Sequence, residues 1–199
     1  FNGTNSYYQI SKDDGGLFHH SFKEMSYIFW FKPSDIESQQ FLMDEGGAGN
    51  GVAIRINNGK VEAVIRDQDL YSTNLSMTLS EGEDKWYFLA LIFKDGHINF
   101  ILNNKSTNTN TYHTTVNAHS NAGGLGRNYG STAFNDYDGN LIIGKGTDGN
   151  MGDLYFPGKF DNLRIWNVAL TQSEIQSYGS TLPAGNEEGL VGFWNFNEG

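Results

Sequence analysis

Acidic and amide side chains in the second half of the chain carry the spacing of oxygen ligands. Asp136-Tyr137-Asp138-Gly139-Asn140 sets oxygens at relative positions 1, 3 and 5, as calcium-binding loops do. Asp148-Gly149-Asn150 and Asp153 supply further carboxylates and an amide on a neighbouring loop. Asp136, Asp138, Asp148 and Asp153 together are therefore one candidate metal group. The string is not an EF-hand, because Gly139 stands at position 4 rather than 6 and no Glu follows at position 12. Its other reading is a solvated acidic loop.

Aromatic residues in irregular segments suggest a second kind of chemistry. Tyr71, Tyr112, His113, Tyr129, Phe134, Tyr137 and Tyr155 lie in or beside such segments. A pyranose has an apolar C–H face that stacks on such rings, while Asn, Asp and Arg hydrogen-bond its hydroxyls. Arg127, between Gly126 and Asn128, could grip a uronate or sulfate with two parallel hydrogen bonds. The alternative is that these rings pack their loop onto the body of the protein. Covalent and metal-hydrolytic catalysis lack their signatures: there is no Cys, no GxSxG and no HExxH among the histidines. Asp44 and Glu45 are adjacent, so in a strand they point to opposite faces and cannot flank one bond.

The elements that must position these groups read as strands. Residues 7–10 are short and β-prone, and residues 27–31 form an apolar run stopped by Pro33, as suits a strand buried on both faces. Residues 51–57 and 60–66 alternate around Asn57-Asn58-Gly59, a hairpin by pattern and turn chemistry. Residues 86–93 and 98–102 flank an Asp95-Gly96 turn, and Asn103-Asn104 makes another. Residues 141–143, 160–165 and 189–196 complete the series. One short helix is expected near 171–178, where Thr171-Gln172-Ser173-Glu174 has the capping-box form and Gly179 stands as the closing residue. Residues 104–140 carry mostly Asn, Thr, Gly and Ser, a connection long enough to be functional or mobile.

Composition agrees with this outline and excludes several functions. The 199 residues include 25 Gly, 3 Pro and 22 Asn, more Asn than the 13 Lys and Arg together, which predicts many tight turns. A 38% hydrophobic, 14% aromatic chain can bury one core, and about 200 residues suit a single all-β domain. A net charge of −10 opposes nucleic acid and anionic membrane as partners, and no segment has the apolar length of a membrane span. Without Cys there is no disulfide or thiolate site. Phe1 is not a natural start, so a fragment or mature product is expected.

Four stretches, in order, resemble the laminin-G-like, concanavalin A-like jelly roll of secreted bacterial proteins. Phe1-Asn2-Gly3-Thr4-Asn5-Ser6-Tyr7 is similar to its opening F-D-G-x-x-D-Y, and residues 27–33 to its "t-i-s-f-W-v-k-P" strand. Lys85-Trp86-Tyr87 through Asn103-Asn104-Lys105 resembles its W-h-h-v-a…D-G…l-y-v-N-G-k hairpin. Most specific is the run from Gly158 through Asp161-Asn162-Leu163-Arg164-Ile165-Trp166 to Leu170 and Glu174-Ile175, similar to G-x-i-D-e-v-R-i-w-n-r-a-L-s…E-I. Residues 189–199 resemble the strand that ordinarily precedes the opening, so they either close this sandwich as an edge strand or begin a following repeat.

The resemblance implies a fold and a cofactor. The fold is an all-β jelly-roll sandwich of two antiparallel sheets, spanning residues 1–199 as one domain. The cofactor is a structural calcium held by Asp161 with backbone carbonyls of Gly3 and Asn195, which suits an ion that takes hard oxygens. Asn2 departs from the family Asp, and Asn195 contributes only if the tail closes the domain. Otherwise Asp161 is a strand carboxylate paired with Arg164 or Lys159. Neither E-x-D-x-x-E nor E-x-D-x-E, the strings of jelly-roll glycosidases, occurs, and the alginate-lyase strings are also missing. The expectation is a non-catalytic carbohydrate-recognition or adhesion module of a larger extracellular protein. Its partners would be a polysaccharide or cell-surface glycan and the neighbouring domains. The alternatives are a spacer without a sugar ligand and, after that, a lyase or hydrolase.

Overall fold

A computed structural model describes residues 1–10, 24–47, 50–67, 71–94, 97–103, 105–110, 141–148 and 152–197. Among them two six-stranded antiparallel sheets face each other, as the jelly-roll reading requires. The first sheet runs β1 (Tyr8–Ile10), β10 (Leu141–Ile143), β3 (Gln40–Gly47), β4 (Asn50–Asn57), β5 (Lys60–Asp67), β6 (Tyr71–Thr78). The second runs β14 (Leu190–Trp194), β13 (Gly158–Trp166), β2 (Glu24–Pro33), β7 (Tyr87–Lys94), β8 (His97–Leu102), β9 (Lys105–Asn110). β11 (Lys145–Asp148) and β12 (Gly152–Tyr155) form a separate ribbon, and α1 (Gln172–Ser180) is the one described helix.

Local chemistry accounts for these elements. Asn58 and Gly59 both take positive φ, at 49° and 71°, which is the primed turn whose twist suits a two-residue hairpin. Val52, Ile54, Ile56, Val61 and Ala63 from that hairpin are buried in the core. β2 and β7 are apolar on both faces because each face is covered. Tyr27, Phe29 and Phe31 point between the sheets, while Ile28 and Trp30 belong to a second apolar cluster on the outside. There Trp166, Leu170 and Ile175 pack with Phe88, Ala90, Ile92 and Ile101.

Side-chain ties hold the connection before α1 onto that outer face. Ser26 Oγ donates to the Val168 carbonyl at 2.8 Å and accepts from Leu170 N–H at 3.0 Å. The Glu24 carboxylate accepts from Ala169 N–H at 3.0 Å. The capping box is formed, with Glu174 N–H donating to Thr171 Oγ1 and Thr171 N–H donating to the Glu174 carboxylate. Gly179, however, does not close the helix. The helix continues to Ser180 and ends on Thr181 in extended conformation. A Cβ at Gly179 would come within 3.3 Å of the Phe88 ring, so this glycine serves close packing on the sheet rather than a left-handed cap.

Candidate functional site

Asp161 stands on β13 opposite Trp30 of β2, and the register of both strands shifts between Asp161 and Arg164. Asn162, inside that irregularity, has φ of 54°, a conformation an amide residue tolerates. Asp161 Oδ1 is buried and accepts no hydrogen bond. Burial raises the carboxyl above the usual aspartate value, opposed by the Asn162 N–H and by the charge of Arg164. Arg164 itself is buried; its Nη1 donates to the Tyr178 carbonyl, and its guanidinium lies 5.6 Å from the Phe193 ring centre. It thus anchors the last turn of α1 and reaches Asp161 only through space.

The opening segment and the tail meet at the same place. Gly3 has φ of 73°, and a Cβ there would lie 2.9 Å from Pro157, so the turn requires glycine. Asn2 Oδ1 accepts the N–H groups of Thr4, Asn5 and Ser6 at 3.0, 3.0 and 3.1 Å. An amide oxygen therefore organises this turn as well as a carboxylate would, which explains how the chain tolerates Asn at position 2. Phe1 donates from its ammonium to the Gly158 carbonyl at 2.8 Å, and its ring meets Phe156, Phe160 and Phe196. Phe196 takes φ of 47° and turns the tail back over the opening segment.

The result is a cavity of about 500 Å³ lined by Asp161 together with Ser6, Tyr7, Tyr8, Trp86 and Asn197. Asn195 is exposed and lines an adjacent recess of about 310 Å³, beyond Tyr8 and Phe196. The cavity thus joins Asp161 to residues of the opening segment and of the tail, but neither Gly3, which packs on Pro157, nor Asn195 lines it. Asp161 Oδ1, a buried carboxylate oxygen without a hydrogen-bond partner, is of the hard-oxygen type that calcium takes.

Other expected residues fall elsewhere. Asp153 is ion-paired with Lys145 at 2.8 Å, and the Lys145 ammonium also lies over the Tyr7 and Tyr155 rings at 5.1 and 5.7 Å. Asp148 ends β11 and Tyr71 opens β6. Asp136, Asp138, Tyr112, His113, Arg127, Tyr129, Phe134 and Tyr137 lie outside the described residues. Asp44 and Glu45 do lie on opposite faces of β3, with Glu45 fully buried and hydrogen-bonded to the Tyr27 hydroxyl. Sequence reading passed over Tyr7, Tyr8 and Trp86 as strand residues. The signal available for Trp86 was its place among the charged residues Glu83, Asp84 and Lys85.

No helix among the described residues is long and apolar enough to cross a membrane. Among curated proteins none matches the sequence. Several solved structures share the fold. A candidate carbohydrate binding protein of Bacteroides ovatus superposes with a TM-score of 0.65 at 16% identity, covering 98% of this chain and 50% of that one. The CBM40 of a Ruminococcus gnavus IT-sialidase, bound to α2,3 sialyllactose, gives 0.65 at 14% identity, covering 88% and 91%. Domains LG4-5 of the mouse laminin α1 chain give 0.61 at 13% identity, covering 86% and 43%. The chain thus spans half or less of the length of the laminin and Bacteroides structures. A laminin G-type family profile matches residues 2–141 and 126–176. The two stretches together reach from residue 2 to residue 176, and the chain belongs to the concanavalin A-like lectin/glucanases superfamily.

Proposed function

We propose that residues 1–199 form one non-catalytic glycan-recognition module of a larger extracellular protein, with a calcium ion as its structural clamp. One observation carries this reading. Tyr7, Tyr8 and Trp86 are 48, 43 and 43% exposed, and all three line the Asp161 cavity, whereas most large apolar side chains of the described residues are buried. Rings left open to water around a cavity that also holds polar side chains are what the apolar face of a sugar requires. The fold shared with a sialidase CBM40 and with the Bacteroides protein supports the same assignment, although fold alone does not specify a ligand.

Asp161 would hold the calcium, with carbonyl oxygens of the opening turn and of the tail around Asn195 completing its shell. The ion would supply positive charge to an otherwise orphaned carboxylate oxygen and fasten three distant segments together. Tyr8 and Trp86 would stack on the sugar, and Ser6 and Asn197 would hydrogen-bond its hydroxyls.

Glycan-array binding followed by calorimetry tests the proposal. Binding is expected in calcium, weakened about tenfold or more by Trp86→Ala or Tyr8→Ala, since each removes a stacking face. Calcium should raise the melting temperature of the wild type and leave that of Asp161→Asn unmoved. A wild type that binds no glycan in calcium would make the domain a spacer, and a midpoint indifferent to calcium and chelator would remove the clamp.

A further inference from the structure

Among the described residues, α1 and the connection before it pack on the outer face of the second sheet. α1 has nine residues and spans about 13 Å, while six strands make a sheet roughly 24 Å across. Its cover lies towards Trp166, where the Tyr178 ring stacks on the indole at 5.1 Å and 23°. Towards β7 and β8 the helix leaves a groove of about 500 Å³. Its floor is Phe88 and Ile101, both buried, and Trp30 leans on Phe88 with ring centres 5.2 Å apart. Gly179 keeps the wall open above Phe88, because any side chain there would start 3.3 Å from the ring.

The rim of this groove is polar in a particular way. Gln172 and Gln176 extend from exposed positions on α1, and Asn103 faces them from the β8–β9 turn. Asn103 is fixed there by a positive φ of 54° and by its Oδ1, which accepts from Phe88 N–H at 3.0 Å. Three primary amides around an aromatic floor suit hydroxyl groups on a ring-shaped apolar body. Glu81 and Lys85 on the same rim balance each other in charge, which suits a neutral ligand.

Trp86 makes this groove more than an isolated recess. Its indole lines both the groove and the Asp161 cavity, so one exposed ring separates two hollows. Asp161, Trp30 and Phe88 lie in one row across β13, β2 and β7, two strand spacings or roughly 10 Å from end to end. We infer that the groove between α1 and the outer sheet is a second sugar subsite, so that the two hollows together hold a neutral oligosaccharide chain across Trp86. This deepens the glycan-recognition reading and rests on it.

Calorimetry with xylo-, cello-, laminari- and malto-oligosaccharides, each from the monosaccharide to the hexasaccharide, tests the inference on the whole chain in calcium. The wild type should bind one series with affinity that rises with chain length. The double variant Gln172→Ala, Gln176→Ala places two good helix formers at exposed sites and should keep its melting temperature. It should lose about tenfold of the affinity for the longer members, the effect of one or two hydrogen bonds, with the monosaccharide affinity unchanged. A length dependence that survives intact in the double variant overturns the second subsite and leaves glycan recognition standing. So does binding confined to charged glycans on an array. A wild type that binds nothing on either platform overturns the recognition reading and this inference with it.

Discussion

The buried carboxyl of Glu45 is the residue on which the pH behaviour of the sandwich turns. It lies in the core on β3, and the Tyr27 hydroxyl of β2 donates to it across the gap between the sheets. Burial pushes its pKa up to about 8, partly offset by the Tyr27 hydrogen bond and reinforced by neighbouring Asp44. Burial likewise raises the Tyr27 hydroxyl well above the tyrosine range, so Tyr27 remains the donor. In the unfolded chain the Glu45 carboxyl titrates near 4.5. Between 4.5 and about 8 the native state therefore holds a proton that the unfolded state has lost. The stability Glu45 lends is complete below that window and is lost as pH rises through it. Glu45→Gln keeps an acceptor for Tyr27 and carries no charge. Its unfolding free energy should exceed that of the wild type by a margin that grows with pH, reaching on the order of a few kcal/mol near the upper end. Parallel curves for the two proteins would disprove the account. Sequence showed that Asp44 and Glu45 must diverge, but not that Tyr27 waits opposite, because that pairing depends on how two sheets stack. Asp161 was legible through the D-N-L-R-I-W run around it; Tyr7, Tyr8 and Trp86 were not, since exposure of a ring at a strand end is decided by distant segments.

At the scale of elements, α1 owes its position to few groups, and its cap can be tested directly. Thr171→Ala removes the oxygen that accepts from Glu174 N–H at 3.3 Å, and should cost about 1 kcal/mol in denaturant unfolding. Because Tyr178 stacks on Trp166 from the last turn, near-ultraviolet circular dichroism should report any loosening of the helix. A loss near zero with unchanged aromatic signal would mean that packing alone holds α1. The hairpin β4–β5 and this cap were readable because turn and cap chemistry are local. β3 and β9 were not: β3 carries Gln40, Asp44 and Glu45, and β9, Lys-Ser-Thr-Asn-Thr-Asn, has no apolar residue at all. β9 is an edge strand, held by its ladder to β8 rather than by a pattern of its own. Gly179 was misread for a related reason. A glycine near a helix end reads as a cap, whereas here the space is fixed by Phe88 on another element.

For the molecule as a whole, neighbours in space are strangers in sequence. β1 pairs with β10, β13 with β2, and the Phe1 ammonium reaches the Gly158 carbonyl across 157 positions. Such a topology folds slowly, on the order of milliseconds to seconds, because distant segments must close before their contacts contribute. The hairpins β4–β5 and β7–β8 are local, while the meeting of Phe1 and residues 6–8 with residues 158–161 and 196–197 around the Asp161 cavity is the least local assembly described. It is therefore expected to form after the rate-limiting step. Calcium bound there would leave the refolding rate nearly unchanged and slow unfolding, as stabilisation absent from the transition state does. Stopped-flow chevrons in calcium and in chelator should share a folding limb and differ in the unfolding limb; the reverse pattern would place this junction in the folding nucleus. The contact of Phe1 with Gly158 thus acquires a meaning in time: where segments far apart in sequence meet, the ion would act as a latch on persistence and have little part in assembly.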